Sequence, residues 1–103
     1  MVRRVLATLL SSLLALAFAG CSPPQIGADK DSFKAVDALY TAVSLRDPRL
    51  LDQCEKALQD LRAKGQLPEA AGGSLGAIVS EARAGRWEVA QSRLGDFMRG
   101  QRR

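Results

Sequence analysis

Two cysteines are the residues of this 103-residue chain best suited to covalent chemistry, and their surroundings differ sharply. Cys21 follows two small residues, Ala19 and Gly20, at the end of a long apolar run. Cys54 falls among Leu50, Leu51 and Leu58 at helical spacing. A thiol acts as a nucleophile only as its thiolate, which apolar neighbours disfavour, so Cys54 is expected to be a small buried hydrophobe. The chain has no histidine, which removes Ser-His-Asp triads, Cys-His pairs and imidazole metal ligands. Asp52, Glu55 and Asp60 are near enough in sequence to suggest paired carboxylates. Asp52 and Glu55 alternate with Arg49, Lys56 and Arg62, however, and surface ion pairing is the expected role. No catalytic residue, cofactor or metal site is therefore expected, and the chain does not read as an enzyme.

The elements around Cys21 give its thiol a context. Met1-Val2-Arg3-Arg4 supplies a positive end, and Val5 to Ala19 is apolar apart from Thr8, Ser11 and Ser12. That is the layout of a secretory signal peptide. As a helix the apolar run spans roughly 22 Å, short of the ~30 Å hydrocarbon core that a permanent spanning helix must cross. Phe18-Ala19-Gly20-Cys21 resembles the lipobox of bacterial lipoprotein precursors, with Phe18 standing where leucine is usual. The resemblance implies diacylglycerol on the Cys21 sulfur, cleavage between Gly20 and Cys21, and often a third acyl chain on the new amino group. Two or three acyl chains make a stable anchor where one binds only reversibly. The implied partner is a membrane, reached through lipid on Cys21, and nucleic acid is not expected for an exported protein. Ser22 follows Cys21 in place of the aspartate that favours inner-membrane retention, so the outer membrane is the expected address in a host with two membranes.

Arg3 and Arg4 are two of the chain's 15 basic residues, so removal of residues 1–20 leaves 13 against 11 acidic ones, a net charge of +2. Once Cys21 carries lipid, Cys54 is the only free thiol and no internal disulfide can form. Residues 21–30 hold Pro23, Pro24 and Gly27 without a hydrophobic period and are expected to be a lipidated cysteine followed by a flexible tether. Residues 31–103 are expected to form a small all-α domain of three to four short antiparallel helices, arranged as two αα-hairpins. The first helix, about 32–46, carries Phe33, Val36, Leu39, Tyr40 and Val43, with Asp31 or Ser32 as N-cap. Asp47-Pro48 opens the second, whose stripe is Leu50, Leu51, Cys54, Ala57, Leu58 and Leu61, and Lys64-Gly65 closes it. In the third, Gly72, Gly73 and Gly76 weaken the first half, each by about 1 kcal/mol relative to alanine, and make Ser74 a candidate cap. Gly76 is a place where a neighbouring helix can approach. Trp87, Ala90, Leu94, Phe97 and Met98 mark a fourth helix ending near Gly100, with Trp87 expected among the largest contributors to the core.

At an offset of 36 residues the apolar positions of the two halves coincide, Leu39 with Leu75, Val43 with Val79, Leu51 with Trp87, Cys54 with Ala90, Leu58 with Leu94 and Leu61 with Phe97. Gly85-Arg86-Trp87-Glu88-Val89-Ala90, with Leu94 after it, resembles the turn and second helix of a tetratricopeptide repeat, which implies a binding scaffold. The rest of that pattern is missing, and chance agreement between two amphipathic hairpins is the preferred account of the coincidence. Arg86, Arg93, Arg99, Arg102 and Arg103 are the candidate interaction surface, toward anionic headgroups or other envelope polyanions, although cations that offset a helix dipole and keep a small protein soluble are the plainer and preferred account. The function expected is that of a non-enzymatic interaction or structural lipoprotein of the cell envelope. The alternative is a helical binder of an apolar ligand in a groove lined by Leu39, Val43, Trp87 and Phe97.

Overall fold

Asp29 starts the first helix, two residues earlier than the spacing predicts. In the computed structural model, which describes residues 23–102, its carboxylate accepts the Ser32 N–H at 3.0 Å and the Ser32 hydroxyl at 2.9 Å. A carboxylate in this place satisfies orphan N–H groups and complements the positive helix end. Helix α1 then runs Lys30–Ser44, and α2 runs Pro48–Ala63, capped as expected by Asp47, whose carboxylate accepts from the Arg49 and Leu50 N–H groups at 2.9 and 3.3 Å. Helix α3 is Glu69–Arg83 and α4 is Trp87–Arg99. The described residues are thus all-α, with four helices.

The three connecting turns close in one way. The N–H groups of Asp47, Gln66 and Arg86 donate to the carbonyls of Ala42, Leu61 and Glu81, while those of Arg46, Gly65 and Gly85 donate to Val43, Arg62 and Ala82. This is the paired closure of the Schellman motif, which needs a left-handed residue just past the helix. Gly65 and Gly85 supply it at φ of 73° and 83°, but at the first turn Arg46 does so at φ 52°, the one non-glycine with positive φ among the described residues.

Helix α3 begins at Glu69 and runs through its glycines, with Ser74 inside it and not at its cap. Burial outweighs the weak propensity here: Leu67, Ala71 and Leu75 are all within 2 % of full burial and fasten the first two turns to the core. The glycine that permits close approach is Gly72 and not Gly76. A Cβ on Gly72 would lie 2.6 Å from the Arg62 Cδ, whereas one on Gly76 would meet nothing within 4 Å. The Arg62 side chain crosses that gap to Glu69, 2.7 Å away.

Consecutive helices pack antiparallel, and α4 returns against α1, closing a ring of four. The core inside it includes Leu39, Ala42, Val43, Leu51, Cys54, Leu58, Leu75, Ile78, Val79, Ala90, Leu94 and Phe97. Three expectations change, the first being Tyr40, which lies on the outer side of the α1 stripe and is 38 % exposed. Trp87 is only partly buried at the margin of this core, because it is the first residue of α4 and reaches the outermost layer, whereas Leu94 near the middle is fully enclosed. Ala57 is exposed beside α1. Helix starts recur at 39 residues, Lys30 with Glu69 and Pro48 with Trp87, not at 36. The difference is close to one 3.6-residue turn, so either offset lays apolar face on apolar face.

The segment expected to be a free tether is docked over residues 23–29. Ile26 is 2 % exposed, beside Phe33, Val36 and Met98. Pro23 rests on Gly100 so closely that a Cβ there would overlap its ring. Gln101 Nε2 donates to the Pro24 carbonyl at 2.9 Å, the Ile26 N–H donates to Gln101 Oε1 at 2.8 Å, and the Arg102 N–H donates to Gln25 Oε1 at 2.8 Å. Periodicity gives no sign of such packing, because an irregular strap takes its backbone partners from side chains far along the chain.

Candidate functional site

The residues singled out for export and lipid attachment, from the signal segment through Gly20 and Cys21, lie outside the described residues, as does Arg103. What the structure places is the chain from Pro23 onward. The strap 23–29, the starts of α1 and α3, and the ends of α2 and α4 share one end of the bundle. Gln25 Nε2 donates to the Gly100 carbonyl at 3.0 Å there, and the Ser32 hydroxyl lies 3.5 Å from the Gln66 carbonyl. This end exposes Lys30, Asp31, Lys34, Lys64, Gln66 and Arg102, together with small apolar residues such as Ala28, Ala63, Pro68 and Ala70.

The candidate arginines do not form one patch. Arg86 and Arg93 converge on Glu81 at 2.8 and 3.9 Å, near the opposite end, where Arg46 also meets Glu88 at 3.4 Å. The hydrogen bond from Arg86 holds the Glu81 carboxyl below its ordinary range. Arg99 pairs with Asp96 one turn earlier, and Arg102 continues past the end of α4 beside the strap. Helical spacing in the sequence cannot tell these ends apart, since it carries no information on which way the fold turns the face.

Asp52 and Glu55 form surface ion pairs, as expected, but their partner is Arg83 of α3 and not the cations on their own helix. Its guanidinium lies 2.7 Å from each carboxylate and bridges α2 to α3. Hydrogen bonds to Asp52 and then to Glu55 raise the Arg83 pKa above its usual value. Cys54 is 6 % exposed within the core, and burial pushes its thiol up, away from the nucleophilic form.

Leu39, Val43 and Phe97, the residues a ligand groove between hairpins would use, are packed into the core. The larger depressions are open grooves on the surface. One of about 400 Å³ lies between α1 and α2, with Lys34, Asp60 and Lys64 on its walls. Beneath the strap a space of about 40 Å³ is bounded by Ile26, Phe33, Met98 and Gln101. Among the described residues no cluster of three or more metal-ligating side chains occurs. No described helix is long and apolar enough to cross a membrane. The large hydrophobics left most exposed are Leu45 at 65 %, Val89 at 44 % and Tyr40 at 38 %, the first two flanking the Arg46–Glu88 pair at the end away from the strap. Sequence periodicity misses Leu45 because it is the C-cap of α1 and belongs to no helical face.

Comparison of the chain with protein-family models, with curated proteins and with solved structures gives no match.

Proposed function

We propose that this chain is an exported lipoprotein precursor, cut between Gly20 and Cys21 and anchored by acyl chains on the Cys21 sulfur. Its helical bundle serves as a non-enzymatic interaction or structural module of the cell envelope and works through a protein partner. The observation that carries the reading is the order of Arg3-Arg4, an apolar run too short to span, and Phe18-Ala19-Gly20-Cys21. A thiol is required because the lipid is joined to it as a thioether, and a serine at the same place offers no equivalent nucleophile. Ser22 in the following place favours the outer membrane of a host that has two.

The test is metabolic labelling with a fatty acid. Label is expected to enter the wild-type chain, and Cys21→Ser is expected to remain unlabelled and uncut. Equal labelling of both chains would rule the reading out.

A further inference from the structure

We propose that the docked strap fixes how this domain stands on its membrane: the end holding Pro23, Gly100 and Arg102 lies against the phospholipid headgroups, and the turn bearing Leu45 and Arg46 points away. The inference rests on anchoring through Cys21 and adds an orientation to it.

Cys21 precedes Pro23 by two residues, and two residues of any conformation reach no more than about 7 Å. Pro23 is seated on Gly100, Ile26 is buried, and four hydrogen bonds link Pro24, Gln25 and Ile26 to Gly100, Gln101 and Arg102. A free tether from Cys21 to Lys30 would reach ~30 Å and allow every orientation. With the strap docked, that length is withdrawn and the acyl chains enter the bilayer directly below the end of α4. The side chains brought to the surface carry both signs of charge, Lys30, Lys34, Lys64 and Arg102 with Asp31 and Asp60. Such a surface suits the hydrated, zwitterionic headgroup layer and not the acyl interior. Helix α1, 15 residues and about 22 Å long, then stands between the membrane and Leu45. The end with exposed Leu45 and Val89 is the part of the molecule left open to other proteins.

The experiment uses the full chain, expressed in a lipidating host, purified and placed in phosphatidylcholine vesicles. With Cys54→Ala as background, a fluorophore is attached at Lys30→Cys or at Leu45→Cys, and a headgroup-bound quencher reads its proximity to the bilayer. Quenching at position 30 is expected to exceed that at position 45 several-fold. The contrast is expected to shrink in Gln25→Ala/Gln101→Ala, with circular dichroism confirming that the helices persist. Lipidated protein with equal quenching at both positions overturns the orientation, as does a contrast that survives strap release. The intact mass reports the acyl chains separately, so a preparation without them overturns the anchor and this inference with it. The wild-type comparison of the two labels decides the matter even where the double variant fails to fold.

Discussion

Gln25 and Gln101, far apart in the sequence, meet at one end of the bundle, and each satisfies the backbone of the other's segment. Gln25 donates to the Gly100 carbonyl and accepts from the Arg102 N–H, while Gln101 donates to the Pro24 carbonyl and accepts from the Ile26 N–H. Two side-chain amides thereby do for an irregular strap what a ladder does for a strand. Neither residue belongs to a hydrophobic pattern or a recognisable motif, and their shared role exists only in the folded chain.

The first prediction is that the two glutamines act as a unit. Gln25→Ala or Gln101→Ala alone is expected to destabilise the fold by about 1 to 3 kcal/mol, since each leaves half-buried backbone groups unpaired. The double variant is expected to lose clearly less than the sum, because the first substitution already loosens the segment on which the second acts. Denaturant unfolding of the four proteins measures the cycle. Additivity within about 0.5 kcal/mol would mean that the two glutamines hold the strap independently and not as a unit.

At the first turn, Arg46 occupies a left-handed conformation that glycine fills in the two turns after it. Arg46→Gly and Arg46→Ala both remove the exposed pair with Glu88, so their difference isolates the backbone. The glycine variant is expected to be more stable by about 1 kcal/mol. Gly65→Ala and Gly85→Ala are expected to lose a similar amount, although a Cβ at either position meets nothing within 4 Å. Thermal melts of the four variants check both signs, and an Arg46→Ala melting above Arg46→Gly would contradict the account.

Burial of Cys54 gives stability a dependence on alkaline pH. The folded thiol titrates above its ordinary value, so its contribution is complete below that value and is lost as pH rises from the unfolded pKa toward the folded one. Cys54→Ala is expected to remove this part of the alkaline loss while leaving stability between pH 6 and 8 lowered by a roughly constant amount. Chemical unfolding at successive pH values tests it. Native protein is also expected to react with a thiol reagent at Cys54 only as fast as it opens.

The parts of this fold legible in the sequence are those governed by local rules. Asp47-Pro48, Gly65, Gly85 and the stripe from Leu51 to Leu61 place α2 and two of the turns closely, because caps and periodicity act within a few residues. The start of α3 escapes the same rules: Gly72 and Gly73 argue against a helix that Leu67, Ala71 and Leu75 secure by tertiary burial. Asp29 as the cap of α1, and Arg83 as the partner of Asp52 and Glu55, depend on neighbours that only folding supplies. Among the candidate site residues, the run of arginines reads as one basic region in the sequence. The bundle sends Arg86 and Arg93 toward Glu81 and leaves Arg102 at the other end, since helix direction is set by the turns and not by charge.

The three matching turn closures also bear on the rate of folding. Each completes its hydrogen bonds within six residues, and three of the four helix interfaces join helices adjacent in the chain. Topologies dominated by such local contacts reach the native state in microseconds to milliseconds. Only the closure of α4 on α1 and the seating of the strap require distant segments to meet, which places them late on the folding route. Weakening the strap should accordingly hasten unfolding while leaving the refolding limb of a chevron nearly unmoved.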